Sequence, residues 1–390
     1  MPAQYSYPIP SGVQLVNRVT QWPATNLTRA SFPYSAEVSF DFPLPAESLL
    51  VLSHGPSLGG DLQITTSSAV PPGSASVHII VNYHHEAVRD TAKVGLIKRK
   101  AGETGLGIFT PMNRDGHINT DNLFFNVKFS LPRSNVYINN LTTDVSNFAH
   151  NVDRLEEAVK FGEISLKGSH RKIIVKSLAT SKATLQTSNA LIDSQHLVAR
   201  NALVQTSNGK ISGNFHVSDS LYLRTSNGVI KTIVGIDGDG SDNTAAKTLT
   251  MCTTNSTLES TVSLETSSGA GGHFRIETHN SNGSSATRIA SLPIDGVLLL
   301  ESKTTNAPTS LTLPPAYEGG FTLSTSNALA HVSRLNPNEL DPAGLGRQRV
   351  QEIKTAKGSK TAGGVYWDKE SINRGHVTLK SSNGPASIHF

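Results

Sequence analysis

Residues 183–190, 202–209 and 221–228 read ATLQTSNA, ALVQTSNG and LYLRTSNG, one phrase written three times at an interval of nineteen residues. A fixed short period constrains a fold more than any local motif, because each copy must form the same unit and stack on its neighbours. With a nineteen-residue offset, Leu166, Leu185, Val204 and Leu223 fall in one column and Ile173, Ile192, Ile211 and Ile230 in a second. Val198, Val217 and Ile236 make a third, with Ala179 one step before them. A helical repeat would need strong helix formers, yet these segments are Thr, Ser, Asn, Gly and β-branched residues. The pattern predicts a parallel β-solenoid, one coil per repeat, with strands stacked about 4.8 Å apart.

The phrase also predicts its own turn. Strand alternation points Ala202, Val204 and Thr206 inward and Leu203, Gln205 and Ser207 outward. The chain then has to bend, and Asn and Gly are the residues that accept positive φ, so a left-handed corner is expected there. Stacked corners set Asn189, Asn208 and Asn227 above one another, so their amides can hydrogen-bond along the stack. His170 stands in the same column and marks a modified first rung.

The predicted fold is therefore all-β: a parallel β-solenoid of about 19-residue rungs over 161–390, preceded by an irregular β-rich region at 21–160 that continues or caps it. Residues 1–20, Pro-rich, form an extended lead-in. Only NVDRLEEAVKF at 151–161 has helical spacing, with Val152, Leu155 and Val159 on one face, which predicts a short helix or a capping turn. The period lengthens after Thr225, and loops are expected at 236–247 and 331–372.

Composition excludes several functions. Charged residues are 16% of the chain, against about 25% in a typical domain, and the net charge is only +4. The basic residues are scattered: KRK at 98–100, HRK at 170–172, and a loose set from Arg347 to Lys360. A nucleic-acid binder would gather them on one element, so no nucleic acid is expected as a partner. Cys252 is the single cysteine, which rules out an internal disulfide. The start MPAQYSYPIP has neither a basic n-region nor an apolar h-region, and no run of 18 apolar residues occurs. These features predict a cytoplasmic chain without a membrane span, leaving cell-surface or secreted placement open.

Motifs for chemistry are sparse, and no cofactor or metal is expected. GPSLG at 55–59 matches G-x-S-x-G, but a strand-like run follows Ser57 where a nucleophile elbow needs a helix. DGDGSDN at 237–243 starts like a calcium loop but lacks the sixth-position Gly and the bidentate Glu, with Thr248 in its place. His84 and His85 in NYHHEA would face opposite sides of a strand. Glu163, Asp193 and Asp219 share no column, so no catalytic pair of carboxylates is visible. The outer face is more suggestive. Thr184, Leu203 and Tyr222 form one outward column, and Lys167, Gln186, Gln205 and Arg224 the next, a shallow groove for a glycan or an acidic polymer. Tyr366 and Trp367, beside Asp368, Lys369 and Glu370, either line a sugar-binding surface or pin the returning loop onto the last rungs. The candidate ligand-binding residues are thus Gln205, Tyr222, Arg224, Tyr366 and Trp367.

The TSNGxI rungs, DNLFFNVKFSLP at 121–132, DVSNFAHNVD at 144–153 and the closing GGVYWDKESINRGHVTLKSSNGP resemble the putative-adhesin family of unknown function, most closely its fungal group. The resemblance implies a β-solenoid and attachment by binding. The leading functional expectation is a non-enzymatic, adhesin-like binding or scaffold protein. An enzyme on a β-helix scaffold is the alternative, either a polysaccharide hydrolase or lyase or a small-molecule lyase or isomerase. A module that self-associates through its solenoid ends, giving a homo-oligomer, is the third.

Overall fold

The structure, a computed structural model, describes residues 5–390 apart from 28, 45, 113–121, 239–244, 335, 337 and 358. Strands make up 61% of it and helix 3%, as the Thr-, Ser- and Asn-rich repeats require. The chain divides into two compact units, Met1–Leu197 and Val198–Phe390.

A coil is two strands on opposite sides of a shared core. In the first unit the strand Ile173–Gln186 bends midway. Its first half pairs in parallel with Phe148–Arg154 and its second half with Val159–Lys167, Leu185 opposite Leu166. In the second unit Ile211–Arg224 behaves likewise, with Ile211 opposite Ile230, Val217 opposite Ile236, and Leu223 opposite Met251. Both expected apolar columns are fully buried. The third needs correction. Leu197 and Ala199 take the interior and Val198 is half-exposed; in the preceding repeat Leu178 is buried and Ala179 is not. Strict alternation holds in Ile211–Val217 and Ile230–Ile236. The two earlier repeats step by three residues at one point, Val175 to Leu178 and Ser194 to Leu197, which returns the next side chain to the core.

The corner works differently from the expectation. Asn227 Nδ2 donates to Asn208 Oδ1 at 2.6 Å, and the ladder continues at 2.7 Å through Asn255, Asn282, Asn306, Asn383 and Asn327. None of these asparagines has positive φ, nor do the corner glycines Gly228, Gly283 and Gly384. Glycine is needed there for close approach. A Cβ on Gly228 would lie 1.7 Å from the Gly209 carbonyl oxygen, and one on Gly283 would lie 1.9 Å from that of Ser256. The residue that opens each corner fastens it. Thr225 Oγ1 accepts the Gly228 N–H and donates to the Gly209 carbonyl, both at 3.1 Å. Asn280 and Ser381 make the same pair of bonds in their corners. Each corner is thereby tied to the one below through buried backbone that would otherwise lack partners.

Sequence order and stacking order differ near the end of each unit. In the first, Ser48–His54 lies between Glu103–Phe109 and Val136–Val145, and Leu58–Ser67 lies between Leu123–Pro132 and Phe148–Arg154, all parallel. In the second, Gly375–Ser381 lies between Val297–Thr304 and Gly319–Thr325, and Ala386–His389 between Thr309–Thr312 and Ala330–Val332. Antiparallel strands cover the coils beyond. These are Lys93–Lys98 with Gln14–Arg18, and Ser74–Tyr83 with Tyr34–Pro43, in the first unit, and the hairpin Val350–Lys357/Lys360–Tyr366 in the second. They occupy edges that a bare parallel coil would leave open.

The helix-like segment 151–161 is not helical. Phe148–Arg154 and Val159–Lys167 are strands joined by a turn, and Val152, Leu155 and Val159 are all buried. Coil packing overrides the local spacing. The one α-helix among the described residues, Glu86–Thr91, begins after His85, so His84 and His85 follow a strand rather than sit in one. Ser57 precedes the strand Leu58–Ser67, as expected.

A histidine sits in the core of the first unit. His150 is fully buried, its Nε2 lies 2.7 Å from Thr143 Oγ1, and its Nδ1 has no partner. Burial pushes its pKa down to about 3. The unfolded chain takes up a proton near pH 6.5 that the folded chain refuses until about pH 3. Stability from this group is therefore complete above pH 6.5 and is lost as pH falls toward 3, at about 1.4 kcal/mol per unit. His150→Gln keeps a polar side chain without the titration. Its melting temperature should fall less than that of the parent between pH 7 and 4; parallel curves would exclude this origin.

Candidate functional site

Arg224, Cys252, His279, Lys303 and Lys380 lie opposite one another on successive parallel strands of the second unit, followed by Ser324 and Lys360. Each of the first five directly precedes the residue that opens a corner (Thr225, Thr253, Asn280, Thr304, Ser381), so each points outward beside the asparagine ladder. Two residues back runs a second outer column of Tyr222, Thr250, Glu277, Glu301 and Thr378. Along the corner end of both columns lies an open trough of about 460 Å³, lined by Tyr222, Arg224, Cys252, His279 and Lys303 among others.

The acids in this surface are held as fixed charges. Glu277 accepts from Arg275 Nε at 2.8 Å and lies 3.7 Å from His279 Nε2. The Arg275 hydrogen bond holds its carboxyl below the usual range. Glu301 meets Lys303 at 2.8 Å and Lys380 at 3.0 Å, and the Lys303 hydrogen bond lowers its pKa in the same way. Burial raises Tyr222 and Cys252, keeping both protonated at neutral pH. Arg224 has no carboxylate partner among the described residues.

The sequence-derived candidates separate into two groups. Tyr222 and Arg224 line the trough. Gln205 is half-buried at the end of its strand, and the bond from the Thr206 N–H to the Arg224 carbonyl sets it beside Arg224. Tyr366 and Trp367 lie elsewhere in the same unit and are each only 6% exposed. Tyr366 OH donates to Glu352, Trp367 Nε1 donates to the Pro315 carbonyl, and the Trp367 and Asp368 N–H groups both donate to Glu318 Oε1. Arg374 closes the other Glu318 oxygen at 3.0 Å. Their rings and polar edges are used in pinning the 331–372 excursion.

Sequence reasoning missed His279, Lys303 and Lys380. The ladder intervals run 19, 28, 27, 24 and 77 residues, so a constant offset loses the column. Aligning on the corner rather than on the period recovers it. In the loop at 236–247, Asp237 pairs with His216 at 2.6 Å; Asp239, Ser241 and Asp242 lie outside the described residues. Among the described residues no three His, Cys, Asp or Glu side chains are grouped to hold a metal, and no helix is long and apolar enough to cross a membrane.

No family model and no curated protein matches the chain. Several solved structures resemble it at low identity. A putative cell adhesion protein from Clostridium sporogenes is 11% identical, with 91% of this chain and 99% of that one covered at a TM-score of 0.21. A putative adhesin from Bacteroides fragilis is 9% identical, covering 90% and 96% at 0.29. A putative lipid binding protein from Parabacteroides distasonis is 10% identical, covering 71% and 90% at 0.30. The description putative adhesin recurs among the bacterial structures that resemble this chain. At such TM-scores the likeness carries no argument about function, and the fungal group resembled in sequence is not among them.

Proposed function

We propose that this chain is a non-enzymatic, adhesin-like binding protein whose second unit holds an acidic glycan along the cationic column. The observation that carries the reading is the register itself, with Arg224, His279, Lys303 and Lys380 brought into line on stacked strands. Strand stacking repeats every ~4.8 Å, an interval suited to successive residues of an extended uronate- or sulfate-bearing chain. The two facing carboxylates are engaged by cations, and the trough's tyrosine and cysteine stay protonated. Groups fixed in one protonation state favour binding over shuttling protons at neutral pH. The antiparallel strands over the coils of each unit favour this reading over end-to-end self-association.

The test is binding of polygalacturonate and heparin, with dextran as the uncharged comparator. Both acidic chains should bind, more weakly as salt rises. An Arg224→Ala, Lys303→Ala, Lys380→Ala variant should bind about tenfold or more weakly, at roughly 0.5–1 kcal/mol per exposed cation. Equal affinity for dextran, or binding untouched in a folded triple variant, would refute the proposal.

A further inference from the structure

The outer face of the first unit carries a larger trough, of about 640 Å³. It crosses five strands, Ser74–Tyr83, Leu123–Pro132, Leu58–Ser67, Phe148–Arg154 and Ile173–Gln186, in that stacking order. Four interstrand steps span about 19 Å. Its central column runs His78, Lys128, Gln63, Asn151 and Ile174, each opposite the next. Beside it Ile80, Asn126 and Asp61 line up in the same manner.

The side chains divide by what already holds them. Asp153 is fixed, accepting from Gln63 Nε2 at 2.9 Å and Lys176 Nζ at 2.7 Å. Asp61 has Arg29 at 3.6 Å. By contrast, the carboxamides of Asn126 and Asn151 and the ammonium of Lys128 meet no hydrogen-bond or ion-pair partner among the described residues. Two amides, each both donor and acceptor, thus stand free near two oriented carboxylates. Half-buried Ile80 and Ile174 add apolar surface.

We propose that this trough binds a neutral, hydroxyl-rich glycan chain laid across the strands. Sugar hydroxyls donate and accept, so they can use the amides, the lysine and the carboxylates together. Asp61 and Asp153 are each engaged by a cation, Arg29 and Lys176, so the groups left free to choose a ligand are chiefly the two amides, which suit hydroxyls and set this trough apart from the cationic column of the second unit. The isoleucines suit the C–H face of a pyranose ring. A peptide strand would be expected at a sheet edge, where backbone groups are unpaired, rather than across this face.

Saturation-transfer NMR with cellotetraose, laminaritetraose and mannotetraose on the full chain tests the assignment. At least one should bind with a millimolar or tighter Kd. Asn126→Ala/Asn151→Ala should weaken it tenfold or more without moving the melting temperature. Arg224→Ala/Lys303→Ala should leave it unchanged and weaken only polygalacturonate. Absence of binding by all three probes overturns the proposal, as does binding that survives the double asparagine variant or is lost with the second-unit variant.

Discussion

Deleting residues 375–390 is expected to abolish the cooperative unfolding transition of the second unit, not to shave a coil from its end. In a simple solenoid the last segment is the outermost rung, and its loss costs one nearest-neighbour interface. Here the last segment is interior. Gly375–Ser381 and Ala386–His389 each pair on both sides, and Asn383 bridges Asn306 and Asn327 in the ladder. Val377, Leu379 and Ile388 are fully buried. At about 1.5–3 kcal/mol each they alone account for roughly 5–9 kcal/mol, as much as a whole domain's net stability of about 5–15 kcal/mol. The deletion also leaves two facing ladders of backbone groups unpaired across an empty slot. A synthetic peptide of residues 375–390 added in trans should restore the transition, because the slot is its template. Circular dichroism melting of the truncated chain, with and without peptide, reads this directly. A truncated chain that melts within a few degrees of the parent would show that the coil is dispensable.

The same feature explains why some of the fold was legible in the sequence and some was not. Columns such as Leu166 and Leu185, or Ile211 and Ile230, could be read because neighbouring coils are also neighbours in sequence at constant offset. Intercalation breaks that link. Val377 stacks between Leu300 and Phe321, and nothing in the local pattern around Val377 names those partners. Corner chemistry was half legible. The asparagine ladder follows from periodicity, but the positive φ expected of Asn and Gly does not occur, because the real constraint on glycine is the carbonyl of the coil below, a tertiary contact. Val198 was misplaced because a one-residue step in register exchanges faces, and Leu197 and Val198 are equally apolar. In the site, Tyr222 and Arg224 came from the regular rungs. His279, Lys303 and Lys380 were hidden by unequal loops, and Trp367 cannot be told from a surface aromatic until Glu318 and Pro315 are seen beneath it.

Inserting one alanine after Ser207 is expected to unfold the second unit at ambient temperature. The corner has no slack to absorb it. The N–H groups of Ser226 and Asn227 both donate to the Ser207 carbonyl, at 3.0 and 2.9 Å, and Gly228 approaches Gly209 too closely even for a methyl group. The extra residue must therefore pass into the strand Ile211–Arg224. With a side-chain period of two, that turns Ile211, Phe215 and Val217 out of the core and pulls Asn208 off the ladder. All three side chains are at most 1% exposed, and exposing them costs roughly 5–9 kcal/mol at about 1.5–3 kcal/mol each. An insertion after Gly240, in the 236–247 loop, would lie outside the described residues. A better control is an alanine after Leu345, which is 70% exposed and adjoins Gly344 and Gly346, both in open space. That variant disturbs only the surface loop tied by Asp341 and Arg347, so its midpoint in urea should stay far closer to the parent's than that of the corner insertion. Two variants with the same midpoint would falsify the stacked-corner account, because only a corner clamped to its neighbour makes the position of one added residue matter.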